Sequence, residues 1–347
     1  MPEIPGILKD FVNGKTWDLI YPIPPARPDQ RGPSCGFYAL AYAMLCWYSR
    51  QKELGENWSI SKPLAARTSN VDSPSKTKSL AEKTAKFTKA KTGQYDSLRQ
   101  YGKLNQLTAY GSVFNAENLV KIARGAGSQY GGQFDGEVLD ISNASDFERK
   151  VEALIKASCP VIVPFDVCVT DPNVGDPTNA TGKAAHWTVI IGTYEDSGVV
   201  YAIHRHWGAF RYSLMSAFAA SNAQLTANAF VELKKCEVRN PNDAKFLDRD
   251  FLSQESIEAY QKLGFTVKEL SGAVTNYEFC KPKSVADLKK QKELQTNFPD
   301  LATRLAEDKL SANGFDPKHL ANAGLKDKIV AVYPVAERDG ILKALPK

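Results

Sequence analysis

Apolar residues recur at helical spacing in three stretches of this chain and alternate in several others. Phe37, Leu40, Ala41, Met44, Leu45 and Tyr48 share one face of a helix over residues 35–51. Ser34 stands at its N-cap position and Cys35 in its first turn. A second helix covers Asn115–Arg124, with Leu119, Val120, Ile122 and Ala123 apolar. A third covers Asp146–Ala157, with Ser145 as its cap and Phe147, Val151, Leu154 and Ile155 as its buried stripe. Strand patterns follow at Pro160–Val169, His186–Tyr194 and Val199–Arg205. Glu195–Gly198 is a turn that makes the last two a hairpin. Phe210–Ser221 continues the sheet and then turns helical, and Phe230–Val238 reads as a further strand. Beyond a soft boundary near residue 240, the pattern predicts a helix over Gln254–Leu263, strands at Phe265–Leu270 and Asn276–Lys281, and a charged helical region over Ser284–Leu310 broken at Pro299. The fold class expected is α+β.

This divides the chain into a proline-containing leader (1–29), a main domain (30–240) with a polar insertion at 52–105, and a C-terminal α+β or helical extension (241–347). Composition narrows the picture. At 43% hydrophobic and 24% charged, the chain resembles a globular protein and is neither disordered nor fibrous. The longest apolar run, Phe37–Tyr48, is too short to span a bilayer, so membrane insertion is not expected. The N-terminus shows no secretory signal pattern, which favours a cytoplasmic setting and free thiols. The six cysteines form no Cys-x-x-Cys pair, and with four histidines they show no metal-ligand spacing. No cofactor or metal is expected. The net charge of +5 gives no case for nucleic acid. Residues 60–105 hold ten Lys/Arg against three acids, a solvated surface or a dock for an acidic partner.

The chemistry concentrates at two positions. The open amides of a helix N-terminus favour a thiolate, and Cys35 opens the first predicted helix. Gly36 after it permits close backbone approach. Gln30 stands five residues upstream, where its amide can donate to a developing oxyanion beside the Cys35 N–H. His186 opens an apolar strand that can anchor it as the general base, with Trp187 beside it as a cleft residue. A third residue would orient the imidazole. With the hairpin turn near Asp196, the residue opposite His186 falls around position 206, and Ile203–Gly208 offers no carboxylate or amide. The candidates are therefore Asp166 and Asn222. His204 and His206 are also within reach of such a register.

Several blocks occur in an order that resembles the actin maturation protease family, papain-like cysteine proteases of the bacteriocin-leader-peptidase type. Gln30-Arg31-Gly32-Pro33-Ser34-Cys35-Gly36 is similar to the family's nucleophile block, and Ala185-His186-Trp187 to its histidine block. Gly111–Leu119, Pro160–Asp166 with Asn173, and Ser221–Leu225 resemble its intervening and closing blocks. The resemblance implies a papain-like fold, with Cys35 as nucleophile, His186 as base and Gln30 in the oxyanion hole. It also implies removal of an acetylated N-terminal residue from immature actin. The leader is shorter than in eukaryotic members, and residues after 240 match no part of the family pattern. A divergent relative, such as a bacterial effector delivered into a host cytoplasm, would use the same scaffold on another protein. The same Cys–His pair also serves glutamine deamidation or transglutamination, and a non-catalytic binding module is the remaining alternative. The pattern is silent on oligomeric state.

Overall fold

The computed structural model describes residues 16–20, 22–24, 34–66, 95, 97–104, 107, 113, 115–127, 132–168, 174–179, 182, 185–225, 266–270, 276–280 and 324–346. The first predicted helix forms as Cys35–Leu54 (α1) and ends on Gly55, whose left-handed φ of 71° closes it. Phe37, Ala39, Leu40, Tyr42, Ala43, Met44, Cys46 and Trp47 are all buried, so α1 is covered on nearly every side. That explains its weak amphipathicity: it is a central helix rather than a surface one. Short α2 (Leu98–Leu104) and then α3 (Ala116–Ala126) follow. Asn115 caps α3 by accepting from the Glu117 and Asn118 amides. Helix α4 (Ala144–Lys156) is capped by Asn143, which accepts from Asp146 N, and not by Ser145. Two further helices are α5 (Met215–Ala223) and α6 (Arg338–Ala344).

The strands are β1 (Thr16–Leu19), β2 (Phe134–Asp140), β3 (Val161–Asp166), β4 (Ala185–Asp196), β5 (Val199–His206), β6 (Ala209–Leu214), β7 (Thr266–Leu270), β8 (Asn276–Cys280) and β9 (Lys328–Pro334). Seven of them form one antiparallel sheet in the order β2-β9-β3-β4-β5-β6, with β1 also on β4. Long β4 pairs β3 along its first half and β1 along its second. Strands β7 and β8 form a separate antiparallel pair. The architecture is α+β, as expected from the pattern.

Helices cover both faces. Side chains alternate along β4, so Trp187 and Val189 point one way and His186 and Thr188 the other. Trp187 meets α1 at Gly36, and Arg205, paired with Val189, lies 4.1 Å above the Tyr42 ring of α1. On the opposite face, Phe218 of α5 packs edge-on against Phe165 and His204. Helix α4 packs beside α5.

Three strands have no counterpart in the sequence pattern: β1, which lies within the expected leader and pairs with β4, and also β2 and β9. Strand β2 mixes Asp135, Gly136, Glu137 and Asp140 with its apolar positions. Strand β9 is buried throughout and shows no alternation to read. Its place corrects the division at residue 240. It lies between β2 and β3, so residues 328–334 are part of the main sheet and not of an appended extension. Trp47 of α1 donates to Val332 O at 2.7 Å and ties the two together. The strand expected at Phe230–Val238, the helices expected at Gln254–Leu263 and Ser284–Leu310, and residues 67–94 of the basic segment lie outside the described residues.

Candidate active site

Cys35 is the first residue of α1 and is nearly buried, at 9% exposure. Ser34 occupies the N-cap position, yet its side chain makes no cap bond, and the first turn holds no acidic residue. The Ser34 carbonyl accepts from Phe37 N and Tyr38 N, which closes the first turn. Neither a Ser34 cap bond nor a carboxylate of the helix's own first turn therefore offsets the positive end of the helix beside this thiol. Gly36 presses against the Trp187 indole: a Cβ there would lie 3.2 Å from Trp187 Cδ1 and from Val113 Cβ. Only glycine fits such an approach without displacing its neighbours.

His186 is the second residue of β4, opposite Phe165, and is 4% exposed. Its ring stands edge-on to Phe165 at 5.5 Å and tilted against Trp207 at 5.1 Å. Trp207 occupies the two-residue turn between β5 and β6 with φ of 49°, followed by Gly208 at 74°. These are the positive φ values of a tight hairpin turn. The contact of Gly36 with Trp187 brings the start of α1 to the start of β4, so Cys35 and His186 are each one residue from the same junction. Trp187 itself does not form an open cleft wall. It is 2% exposed and donates its Nε1–H to Val113 O at 2.7 Å.

The hairpin register differs from the one expected. The β4–β5 turn is Ser197–Gly198, and a bulge between Ile190 and Gly192 shifts the pairing by one residue. The ladder ends with Val189 opposite Arg205. Trp207, rather than residue 206, is what this places against His186. Hairpin counting missed it because the turn lies at Ser197–Gly198 and not near Asp196; the bulge takes back only one of the residues so gained.

Asp166 ends β3 opposite Ala185 and is fully buried. Its Oδ2 accepts from Gly182 N at 2.6 Å, which fixes the approach to His186. Its own N–H donates to Ser221 Oγ at 2.7 Å, and Ser221 Oγ donates back to Asp166 O at 3.0 Å. Asn222, 1% exposed, donates its amide to Pro164 O at 2.8 Å and Lys328 O at 3.0 Å, clamping α5 to β3 and β9. Gln30 lies outside the described residues.

Two other described thiols, Cys46 and Cys159, are held in the core. Burial pushes Cys46 up to about 12, only partly offset by Arg205. Burial likewise raises Cys159 well above the ordinary thiol range, against a backbone hydrogen bond from the Val332 region. Among the described residues the free cysteines are Cys35, Cys46, Cys159 and Cys168, and no group of three or more His, Cys, Asp or Glu is placed to hold a metal ion. No described helix is long and apolar enough to cross a membrane.

Among known proteins, the chain is 22% identical over 207 residues to the ribose import ATP-binding protein RbsA of Bacillus subtilis, covering 57% of this chain and 39% of that protein. A phosphate loop, Gly-x-x-x-x-Gly-Lys-Ser/Thr, is absent here: Gly14-Lys15-Thr16 has Lys9 where the first glycine would stand. Residues 77–194, 118 of the 347, match the family described as actin maturation protease-like, C-terminal domain. The matched stretch contains His186 and Asp166 and begins inside the basic segment; Cys35, Gln30 and Asn222 fall outside it. That match is a similarity to the actin maturation protease-like C-terminal domain over about a third of the chain.

Proposed function

We propose that this protein is a papain-like cysteine peptidase that trims the N-terminus of a protein substrate, with actin the first substrate to test. The observation that carries the reading is the seating of Gly36 on Trp187, which gathers a helix-start cysteine and a strand-start histidine at one end of the sheet. The family match over the histidine-bearing stretch supports it independently.

In this reaction the Cys35 thiolate attacks the substrate carbonyl carbon. Gln30 and the Cys35 N–H hold the oxyanion. His186 passes its proton to the departing amine as the C–N bond breaks, leaving a thioester. Water, deprotonated by His186, then releases the acid and restores the thiol. The geometry sets one requirement. Trp187 faces α1, so alternation directs His186 to the other face, and the imidazole must meet the thiol around the end of the sheet. Its position one residue from the end of β4 permits this. Asp166 is the stronger positioning residue of the two candidates, because it anchors Gly182 in the segment leading into β4. Asn222 acts as a clamp between elements. An actin substrate implies action in a cytoplasm, the protein's own or a host's.

Intact-mass analysis of unprocessed, N-acetylated actin tests the reading. Loss of the first residue with the wild-type protein and not with Cys35→Ala is the expected result. A mass gain matching deamidation, or crosslinked actin, would transfer the same Cys–His pair to the amide-exchange reaction. Unchanged actin, together with a Cys35 that alkylates no faster than a free thiol, would leave a binding module.

A further inference from the structure

A second histidine sits in an environment that the peptidase reading does not use. His204 of β5 is fully buried, under the edge of Phe218 at 4.8 Å. Its Nδ1 lies 3.1 Å from Thr188 Oγ1, and its Nε2 lies 3.1 Å from Ser213 Oγ. The protons can be assigned by elimination. Thr188 Oγ1 is also 2.9 Å from the Arg205 carbonyl oxygen. A carbonyl only accepts, so the single hydroxyl proton of Thr188 is committed there. Toward His204, Thr188 can then only accept, and Nδ1 must carry hydrogen. In the neutral ring this leaves Nε2 with its lone pair, and Ser213 donates to it. The result is a serine hydroxyl hydrogen-bonded to an imidazole whose tautomer is fixed from behind, the arrangement that activates a serine nucleophile.

Ser213 also borders open space. A groove of about 420 Å³ is lined by Cys168, Pro177, Thr178, Tyr212, Ser213 and Ala217, among others. It runs beside β6, an edge strand of the sheet. The groove suits a small, partly apolar molecule.

We propose that Ser213 is a second nucleophilic centre, with His204 as its base and Thr188 as the positioning residue, taking small activated carboxylic esters from this groove. Ser213 Oγ bonds to the ester carbonyl carbon while its proton passes to His204 Nε2. Nδ1–H stays on Thr188. Collapse of the tetrahedral adduct breaks the bond to the alkoxy oxygen, which leaves as the alcohol with the Nε2 proton. Water completes a slower hydrolysis of the acyl-serine by the same route. The proposal is independent of Cys35.

The test uses the full chain carrying Cys35→Ala, which removes the other nucleophile, and 4-nitrophenyl acetate as the probe. The expected result is a burst of nitrophenolate and one acetyl group mapped to Ser213. Ser213→Ala should abolish the burst, and His204→Gln should slow it at least about 100-fold. Thr188→Val frees the tautomer without touching Ser213 and should slow acetylation about 10-fold while the circular dichroism spectrum stays native. That effect is one a merely structural serine would not produce. Acetylation confined to lysines, or a burst unchanged by Ser213→Ala, overturns the proposal. So does a folded Thr188→Val protein that acetylates at the wild-type rate.

Discussion

Cys35 and Cys46 lie about three turns apart on one helix, yet the fold gives them different surroundings. Cys35 opens the helix, where Ser34 makes no side-chain cap bond and the helix's own first turn holds no acidic residue. Cys46 sits mid-helix, fully enclosed, with its backbone amide already part of the helix and its thiol held up to about 12 by burial. The two segments of α1 also pack for different ends. The first turn is pressed onto the start of β4 through Gly36, whereas the fourth is locked to β9 through Trp47. A helix can thus present one reactive end while the remainder serves as core. Position along the helix, rather than residue type, decides which cysteine can become a nucleophile.

The sharpest way to break this comparison is activity. Cys35→Ala should lower processing of the actin N-terminus by about 1,000-fold or more, whereas Cys46→Ala should leave it within about threefold. Progress curves by mass spectrometry check both. If the two variants behave alike, the helix-end argument fails. The next contrast is reactivity. In the folded protein, iodoacetamide should modify Cys35 at least about 100-fold faster than Cys46 or Cys159 at neutral pH. Because the Cys46 thiol ionises only at about 12, it should stay protected up to about pH 10 and become reactive only on unfolding. Peptide mapping after timed quenching reads this out.

A smaller effect is expected at the junction itself. Gly36→Ala places a methyl 3.2 Å from both Trp187 and Val113. It should cost about 1–3 kcal/mol in denaturant unfolding, and it should lower activity through displacement of the first turn. Smallest is Trp47→Phe, which removes the hydrogen bond to Val332 O at 2.7 Å. A loss of about 1 kcal/mol with activity nearly unchanged would confirm that this part of α1 is structural. A large loss of activity instead would mean that the two segments are coupled.

Much of this layout is legible in the sequence, for reasons that can be named. The apolar spacing of residues 37–48 marks α1, and the apolar run of β3 with the Asp, Asn, Pro and Gly loop after it, together with the Ser197–Gly198 turn, marks the centre of the sheet. These are local signals. The placement of β9 between β2 and β3 rests on pairing across more than 150 residues, and no local period encodes that. The candidate nucleophile and base are visible because each stands at the start of an element. Their surroundings are not, because the exact turn position and the bulge near Ile191 together set which residue of the next turn reaches His186. Ser34 illustrates the limit of residue type: it holds the cap position without making the bond. His204 shows the same limit from the other side. It reads as a possible neighbour of His186, but its hydrogen bonds run to Thr188 and Ser213.

The central seat of β9 has a consequence for how the molecule is made. During synthesis β2 and β3 emerge long before the strand that separates them, and domains generally fold as their chain appears. Until residue 334 has left the ribosome, β2 has no strand partner and β3 keeps one edge open. The cysteine helix likewise lacks the carbonyl that receives Trp47. A polypeptide stopped anywhere short of β9 would hold every candidate catalytic residue and still lack the sheet that positions them. Assembly of the candidate site therefore waits on residues 328–334, made long after the last candidate residue, Asn222.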